Sequence, residues 1–448
     1  MKNARFSSAR RCAGLGGAVA LGLQAITPAM SQEPPAQQFG PTRPQTESMF
    51  EVRAGVTRSD NFRRTPTNEE DGTLVSAGFG VDTAGRTPRT EYRAQGDLDW
   101  IKYPDDAFST QAQGYFDGDV TFSIVPDTFK WYFQETFGQL VTDPFSTRTP
   151  DTIENVNNFS TGPEVHFDLG SATVLDLYGT YSKIQYEISP LDNEETGGGI
   201  QLGHRLSTSS MVSLNATRSS IDFDTALVPD YDINQYFVRY QAQGGRTQIT
   251  ADGGYSQYQQ DGDDSGGTLA RLSLSRRISA SNSLELIASR QFSANGQMFR
   301  ERLGRQTPGD ASMTLSNGNA FEDTTFGANW SFQASRTALV VYLSRSKEEY
   351  ENNSASDRTI SSFDVSVQRR MRPSLTLRVA ARYSKEEFDN VNFDDTRRSA
   401  EAALDWRLGR HLGTTFRYEW YKDSATRPTA EYSENRIGVQ LFYRFGEL

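Results

Sequence analysis

Three histidines, His166, His204 and His411, are the only imidazoles in a chain of 448 residues. They are too far apart for metal ligands, which recur within a few positions on a shared element. The single cysteine, Cys12, lies in the leader, so the mature chain has neither disulfide nor thiolate site. A lipid hydrolase on a barrel wall needs Ser, His and an acid or amide side by side on the outer face. No histidine falls at such a position, and the chain reads as a non-enzyme with no cofactor. Two acidic runs remain as weak cation candidates. QDGDDSGG (260–267) carries Asp261, Asp263 and Asp264, and KEEFDNVNFDDT (385–396) carries Glu386, Glu387, Asp389, Asp394 and Asp395. Neither has the spacing of a twelve-residue calcium loop. Solvated loops are the plain reading; loose Ca²⁺ or Mg²⁺ bridging to anionic surface glycolipid is the sharper one. Asp60-Asn61 reads as a capping pair where a strand turns.

The charges with most chemical promise lie elsewhere. Arg378, Arg382, Arg407, Arg417, Arg436 and Arg444 occupy alternate positions of C-terminal segments. Asp97, Asp99, Glu401, Asp405 and Glu419 occupy equivalent positions. In a strand, alternate positions share one face. Opposed charges on that face either pair across strands and stabilise a wall, or line a channel and set its selectivity. On the second reading the arginines form one basic stripe, partly countered by Glu401, Asp405 and Glu419, along which an anionic chain would slide.

The elements that must hold these charges repeat along the chain. MFEVRAGVT puts Phe50, Val52, Ala54 and Val56 against Glu51, Arg53, Gly55 and Thr57. NRIGVQLFYRF puts Ile437, Val439, Leu441, Tyr443 and Phe445 against Arg436, Gly438, Gln440 and Arg444. A helix would mix these sets; a strand separates them. There are about twenty such segments, mostly about 9–13 residues long, the span of a tilted membrane-crossing strand. Their connections alternate strictly between short (LGSA, AQGGR, GRH) and long (59–72, 141–158, 293–320), and the long ones are acidic while the short ones are basic. Tyr103, Trp131, Tyr186, Tyr350, Tyr383, Trp420 and Tyr443 lie near segment ends, where an interfacial aromatic girdle would stand. The pattern predicts an all-β, transmembrane, up-and-down antiparallel barrel of 18–20 strands. A soluble sandwich would have to bury Glu401, Arg407, Arg417 and Glu419 in a dry core.

Composition agrees. The net charge of -11 disfavours nucleic acid as a partner, and the only apolar run of note is Cys12–Ile26, behind Lys2, Arg5, Arg10 and Arg11. That is the layout of an export signal, cleaved after Ser31. The organisation expected is a signal peptide at 1–31, a Pro- and Gln-rich flexible periplasmic linker at 32–48, and a barrel at 49–448. Seventeen linker residues are too few for a plug domain. Phe445, three residues short of the end, stands as a displaced terminal aromatic.

The opening FEVRAGVTRSDNFRR (50–64) resembles that of outer-membrane β-barrels linked to exopolysaccharide operons. The segment FKWYFQETFGQLVTDPFSTRTPDTIENVNNFSTGPEV (129–165) resembles the barrels of exopolysaccharide and PEP-CTERM sorting loci. The resemblance spans 49–448, with its sharp motifs in the first third. It implies a location in the cell outer membrane, contact with lipid and lipopolysaccharide, and a link to surface polysaccharide and its export proteins; it carries no site residues. Three functions follow: a channel or accessory for surface polysaccharide, a general or solute-specific porin, or a structural or adhesive barrel without an open pore.

Overall fold

A computed structural model describes residues 45–447 apart from 105–106, 142, 144, 261, 295, 300–317 and 428–429. The signal peptide and nearly all of the linker therefore lie outside the described residues. Twenty antiparallel strands follow in chain order. The first ten are β1 (Gln45–Ser59), β2 (Gly72–Arg86), β3 (Thr90–Lys102), β4 (Gln111–Val125), β5 (Phe129–Val141), β6 (Ile153–Asp168), β7 (Thr173–Tyr186), β8 (Asn193–Ser207), β9 (Ser210–Phe223) and β10 (Tyr231–Gln243). The second ten are β11 (Thr247–Gln260), β12 (Asp263–Arg277), β13 (Asn282–Ser293), β14 (Phe321–Gln333), β15 (Thr337–Tyr350), β16 (Arg358–Arg372), β17 (Leu375–Phe388), β18 (Asp394–Arg407), β19 (Leu412–Ala425) and β20 (Tyr432–Glu447). Each pairs with its sequence neighbours, and β1 pairs with β20 in the register Val52↔Tyr443 and Val56↔Val439. The sheet is closed and has no free edge.

Alternation decides which way each side chain points. On the outside, Phe50, Val52, Val56, Trp100, Phe416, Tyr418, Ile437, Val439 and Leu441 are 41% to 64% exposed. A continuous apolar surface of this kind is covered only by lipid. No helix among the described residues is long and apolar enough to cross a membrane; the apolar belt lies on the strands. They run to 12–16 residues, longer than the sequence suggested, because they continue past the apolar belt. There the outward side chains become charged, as with Lys385, Glu387, Arg398 and Lys422.

Two readings of the connections change. The alternation of lengths is not strict: QDGDD is the turn of a hairpin in which Gln260 pairs with Asp263. Gly262, at φ +91°, supplies the left-handed backbone that so tight a reversal needs. The other acidic run is two strand ends around a five-residue turn, with Asp394 and Asp395 already in β18. The girdle loses three members. Tyr103, Tyr186 and Tyr350 are buried inside the barrel (4%, 9% and 5% exposed), because a strand-end aromatic faces lipid only on the outward parity.

Candidate functional site: the lumen

The inner wall divides by depth. Near the short turns and at mid-height it is polar and salt-bridged, solvated along β16–β19 but buried at the Arg239–Asp252–Arg271 cluster of β10–β12 (2%, 7% and 8% exposed). Arg378 (43% exposed) binds Asp405 at 2.9 Å, and Arg382 pairs with Asp364 of β16. Arg417 sits between Glu401 (3.7 Å) and Glu419 (3.6 Å). Across the β1–β20 seam, Arg444 meets Glu51 at 2.6 Å. Arg53 grips Asp99 with two bonds of 2.8 and 3.0 Å and also pairs with Asp97. Arg407 stands at the short-turn rim and donates to the carbonyl of Pro373. Arg436 belongs to a deeper, drier group, bound to Glu434 at 2.6 Å. The candidate arginines therefore do not form one basic stripe. Arg378, Arg382 and Arg444 each meet a carboxylate of a neighbouring strand, whereas Arg436 is held by Glu434 of its own strand; Asp364 and Glu434 join the acids that the sequence reading considered.

At the long-loop end the same face is dry. Glu154, Ile184, Ile221, Phe321, Glu348 and Glu434, on six strands around the wall, are each at most 2% exposed. Loops folded into the mouth cover them. After β13, Met298 and Phe299 pack on Leu140, Val156, Ile184 and Tyr186 of β5–β7. The β7–β8 loop is tied down by Glu154, which accepts from the backbone of Ile188 (2.9 Å) and from the backbone and hydroxyl of Ser189. The β5–β6 loop reaches across to the rim of β17–β20. Phe145 contacts Phe388 and Phe393 there, at ring-centre separations of 4.8 and 5.2 Å.

Charges inside this lid are buried and chained together. Arg358, 1% exposed, bridges Glu348 and Glu386 at 2.7 Å each. Glu386 also accepts from Arg397, which holds Asp395 at 2.7 Å. Arg64, in the β1–β2 loop, donates to Glu434 (3.1 Å) and to the carbonyl of Arg148 (2.5 Å). Burial opposes the Arg64 charge, but Tyr432 and Glu434 outweigh it and hold its pKa above the ordinary value. Burial also pushes the nearby Tyr103 phenol up.

The remaining candidates do not converge. His166 pairs with Asp176 (2.5 Å), His204 with Thr173 (3.2 Å), and His411 with the Arg444 carbonyl (2.9 Å). Asp264 accepts only a long bond from Gln257 (3.4 Å). Asp261 lies outside the described residues, as does the Asp263 side chain. No group of three metal-ligating side chains occurs among the described residues. Asp60 and Asn61 do more than cap a turn: Asp60 accepts from the backbone and side chain of Asn435 (both 2.7 Å), and Asn61 donates to the Ser433 carbonyl (3.0 Å). They fasten the first strand to the last.

A closed barrel with an apolar belt outside and ion pairs within has the architecture of an outer-membrane β-barrel. The family described as putative beta-barrel porin 2 matches residues 319–445, a little over a quarter of the chain. The match falls on the last third of the chain, not on the opening third where the exopolysaccharide-type motifs stand. No curated protein matches the chain. Solved structures similar to it include the FrpB iron transporter from Neisseria meningitidis (TM-score 0.44, 11% identity, covering 88% of this chain and 82% of that one). The siderophore receptor PirA from Acinetobacter baumannii is another (0.47, 8%, covering 89% and 80%). A third is a BenF-like porin from Pseudomonas fluorescens Pf-5 (0.39, 10%, covering 90% and 99%).

Proposed function

We propose that the barrel is a gated outer-membrane passage, entered from the short-turn end and closed at the long-loop end, for a hydroxyl-rich chain of the surface-polysaccharide class. One observation carries this reading: the lumen wall holds solvated polar pairs such as Arg378–Asp405 and Arg382–Asp364 toward the short turns and is covered by packed loops at the other end. Short turns of bacterial barrels face the periplasm, so the open vestibule receives material from the cell side. Paired arginines and carboxylates offer many weak hydrogen bonds and little uncancelled field, which suits a neutral or mildly charged polyol moving in steps. The resemblance of residues 50–64 and 129–165 to exopolysaccharide-linked barrels supports the polysaccharide class. Partners in this reading are lipid and lipopolysaccharide around the wall and polysaccharide-export proteins at the short-turn end. A general diffusion porin fits less well, because such a pore stands open.

Two measurements test it. An epitope inserted at Gly262 should bind antibody on intact cells and one at Gly244 should not; the opposite result reverses the direction of passage. In planar bilayers the intact barrel should conduct little. A folded variant lacking residues 145–150 and 296–299 should conduct strongly and pass neutral oligosaccharides. Silence from that variant would leave a structural barrel without a pore.

A further inference from the structure

Phe145 and Arg148 belong to a loop whose two ends are anchored on β5 and β6, yet both side chains dock on the far rim. Phe145 lies against Phe388 at the end of β17 and Phe393 in the β17–β18 turn. The guanidinium of Arg427, from the β19–β20 turn, caps Phe145 and Phe393 at 5.8 and 5.6 Å. The Arg148 guanidinium lies 3.9 Å from Glu386, and Arg64 holds its carbonyl from above. On the near side the Pro150 carbonyl accepts from Gln111 of β4 at 2.6 Å.

We infer that the β5–β6 loop is the latch of the lid, a strap whose Phe145 wedge is the one contact that must release for the passage to open. This rests on the gated-passage reading and names its moving part. The β7–β8 loop is bound within one wall by Glu154 of an adjacent strand, and the segment after β13 is held to β5–β7 by the larger buried cluster around Met298 and Phe299. The strap instead spans the mouth, and its far dock is a small aromatic contact at the rim. Phe388 and Phe393 are buried (6% and 2% exposed), whereas Phe145 is only partly so, as expected of a wedge that can withdraw from a seat. Arg148 adds less. Glu386 is already satisfied by Arg358 and Arg397 at 2.7 Å each, and a third cation at 3.9 Å guides the strap more than it fixes it.

The test is single-channel recording of the full-length barrel. Phe145→Ala should raise the open fraction tenfold or more, Arg148→Ala about twofold, and Phe145→Leu should stay near the parent. Arg63→Ala, which loses an exposed pair with Glu70 and the contacts of the guanidinium with the Phe62 and Phe108 rings, all away from the strap, should change nothing. Folding of each variant is checked by heat-modifiable gel migration. If folded Phe145→Ala stays as quiet as the parent while the double-loop deletion conducts, the latch is elsewhere and the inference falls. If the deletion is silent as well, it is the passage reading that fails. A parent already open would remove the need for a latch.

Discussion

The two ends of this lumen are built from the same residue types and behave oppositely. Near the short turns, Arg378 and Asp405 form a solvated pair (43% and 16% exposed); beneath the lid, Arg358, Glu348 and Glu386 form a dry triad (1%, 0% and 2%). Exposed pairs contribute about 0–1 kcal/mol, since water and salt screen them. Buried pairs add little net stability, yet losing one partner strands a charge and costs about 3–5 kcal/mol. The open end can therefore exchange its partners with a passing solute, while the closed end holds one arrangement.

The largest effect should come from breaking that contrast at its dry end. Arg358→Ala leaves two carboxylates buried without their common cation and should destabilise the fold by about 3–5 kcal/mol. Arg378→Ala should cost less than about 1 kcal/mol. Urea-unfolding midpoints of the two variants in detergent or lipid would measure this. Equal shifts would mean that the lid is hydrated and the two ends are alike.

How much of this was legible beforehand follows from where the period-two rule applies. It placed Val52 and Arg53, or Val439 and Gln440, on opposite faces because lipid outside and water inside impose opposite demands. It failed at Tyr186 and Tyr350, where the inside is neither lipid nor water but folded loop. A signal was present: Val156 in β6, Ile184 in β7 and Ile233 in β10 are apolar residues on the polar parity, all at the long-loop end. An inward face that turns apolar at one end only marks a covered mouth. What sequence spacing could not show is which loop covers it, since contacts such as Phe145 with Phe388 join distant parts of the chain. The ion pairs were half visible: parity showed the right face, but Asp364 and Glu434 were overlooked as partners.

A smaller effect sharpens the comparison at the seam. Three hairpins end in a carboxylate that accepts a backbone N–H across the loop: Asp192 from Tyr186 (2.7 Å), Asp230 from Phe223 (2.8 Å) and Asp357 from Tyr350 (2.7 Å). Asp60 does the same for Asn435 (2.7 Å), but β1 and β20 have no connecting turn. At a hairpin the turn fixes the register and the clasp is auxiliary. At the seam the strand ladder, the clasp and side-chain bridges such as Glu51–Arg444 and Asn61 to the Ser433 carbonyl set it. Asp60→Ala should cost about 1.5–3 kcal/mol, as for a charged acceptor lost from two bonds, and lower the temperature at which the band shifts on gels. Asp230→Ala should cost about half as much. Equal costs would show that the seam needs no special fastening.

The smallest effect concerns the wet end alone and asks whether its pairs matter to a moving solute. Among the described residues Arg417 is the cation that bridges Glu401 and Glu419, at 3.7 and 3.6 Å. Asp82 and Asp119, on the opposite side of the seam, face the lumen without a salt bridge among the described residues. With the arginines neutralised in pairs, these carboxylates leave the vestibule mildly negative. In the latch-released Phe145→Ala barrel, Arg417→Glu should raise cation over anion permeability about two- to threefold at low salt, and Asp119→Asn should lower it by a similar factor. Both effects should fade as the Debye length falls to about 3 Å at 1 M salt. Reversal potentials across a salt gradient give the ratio directly. If neither substitution moves it while conductance persists, current bypasses this wall, and the paired charges of the wet end serve the barrel's cohesion just as those of the dry end do.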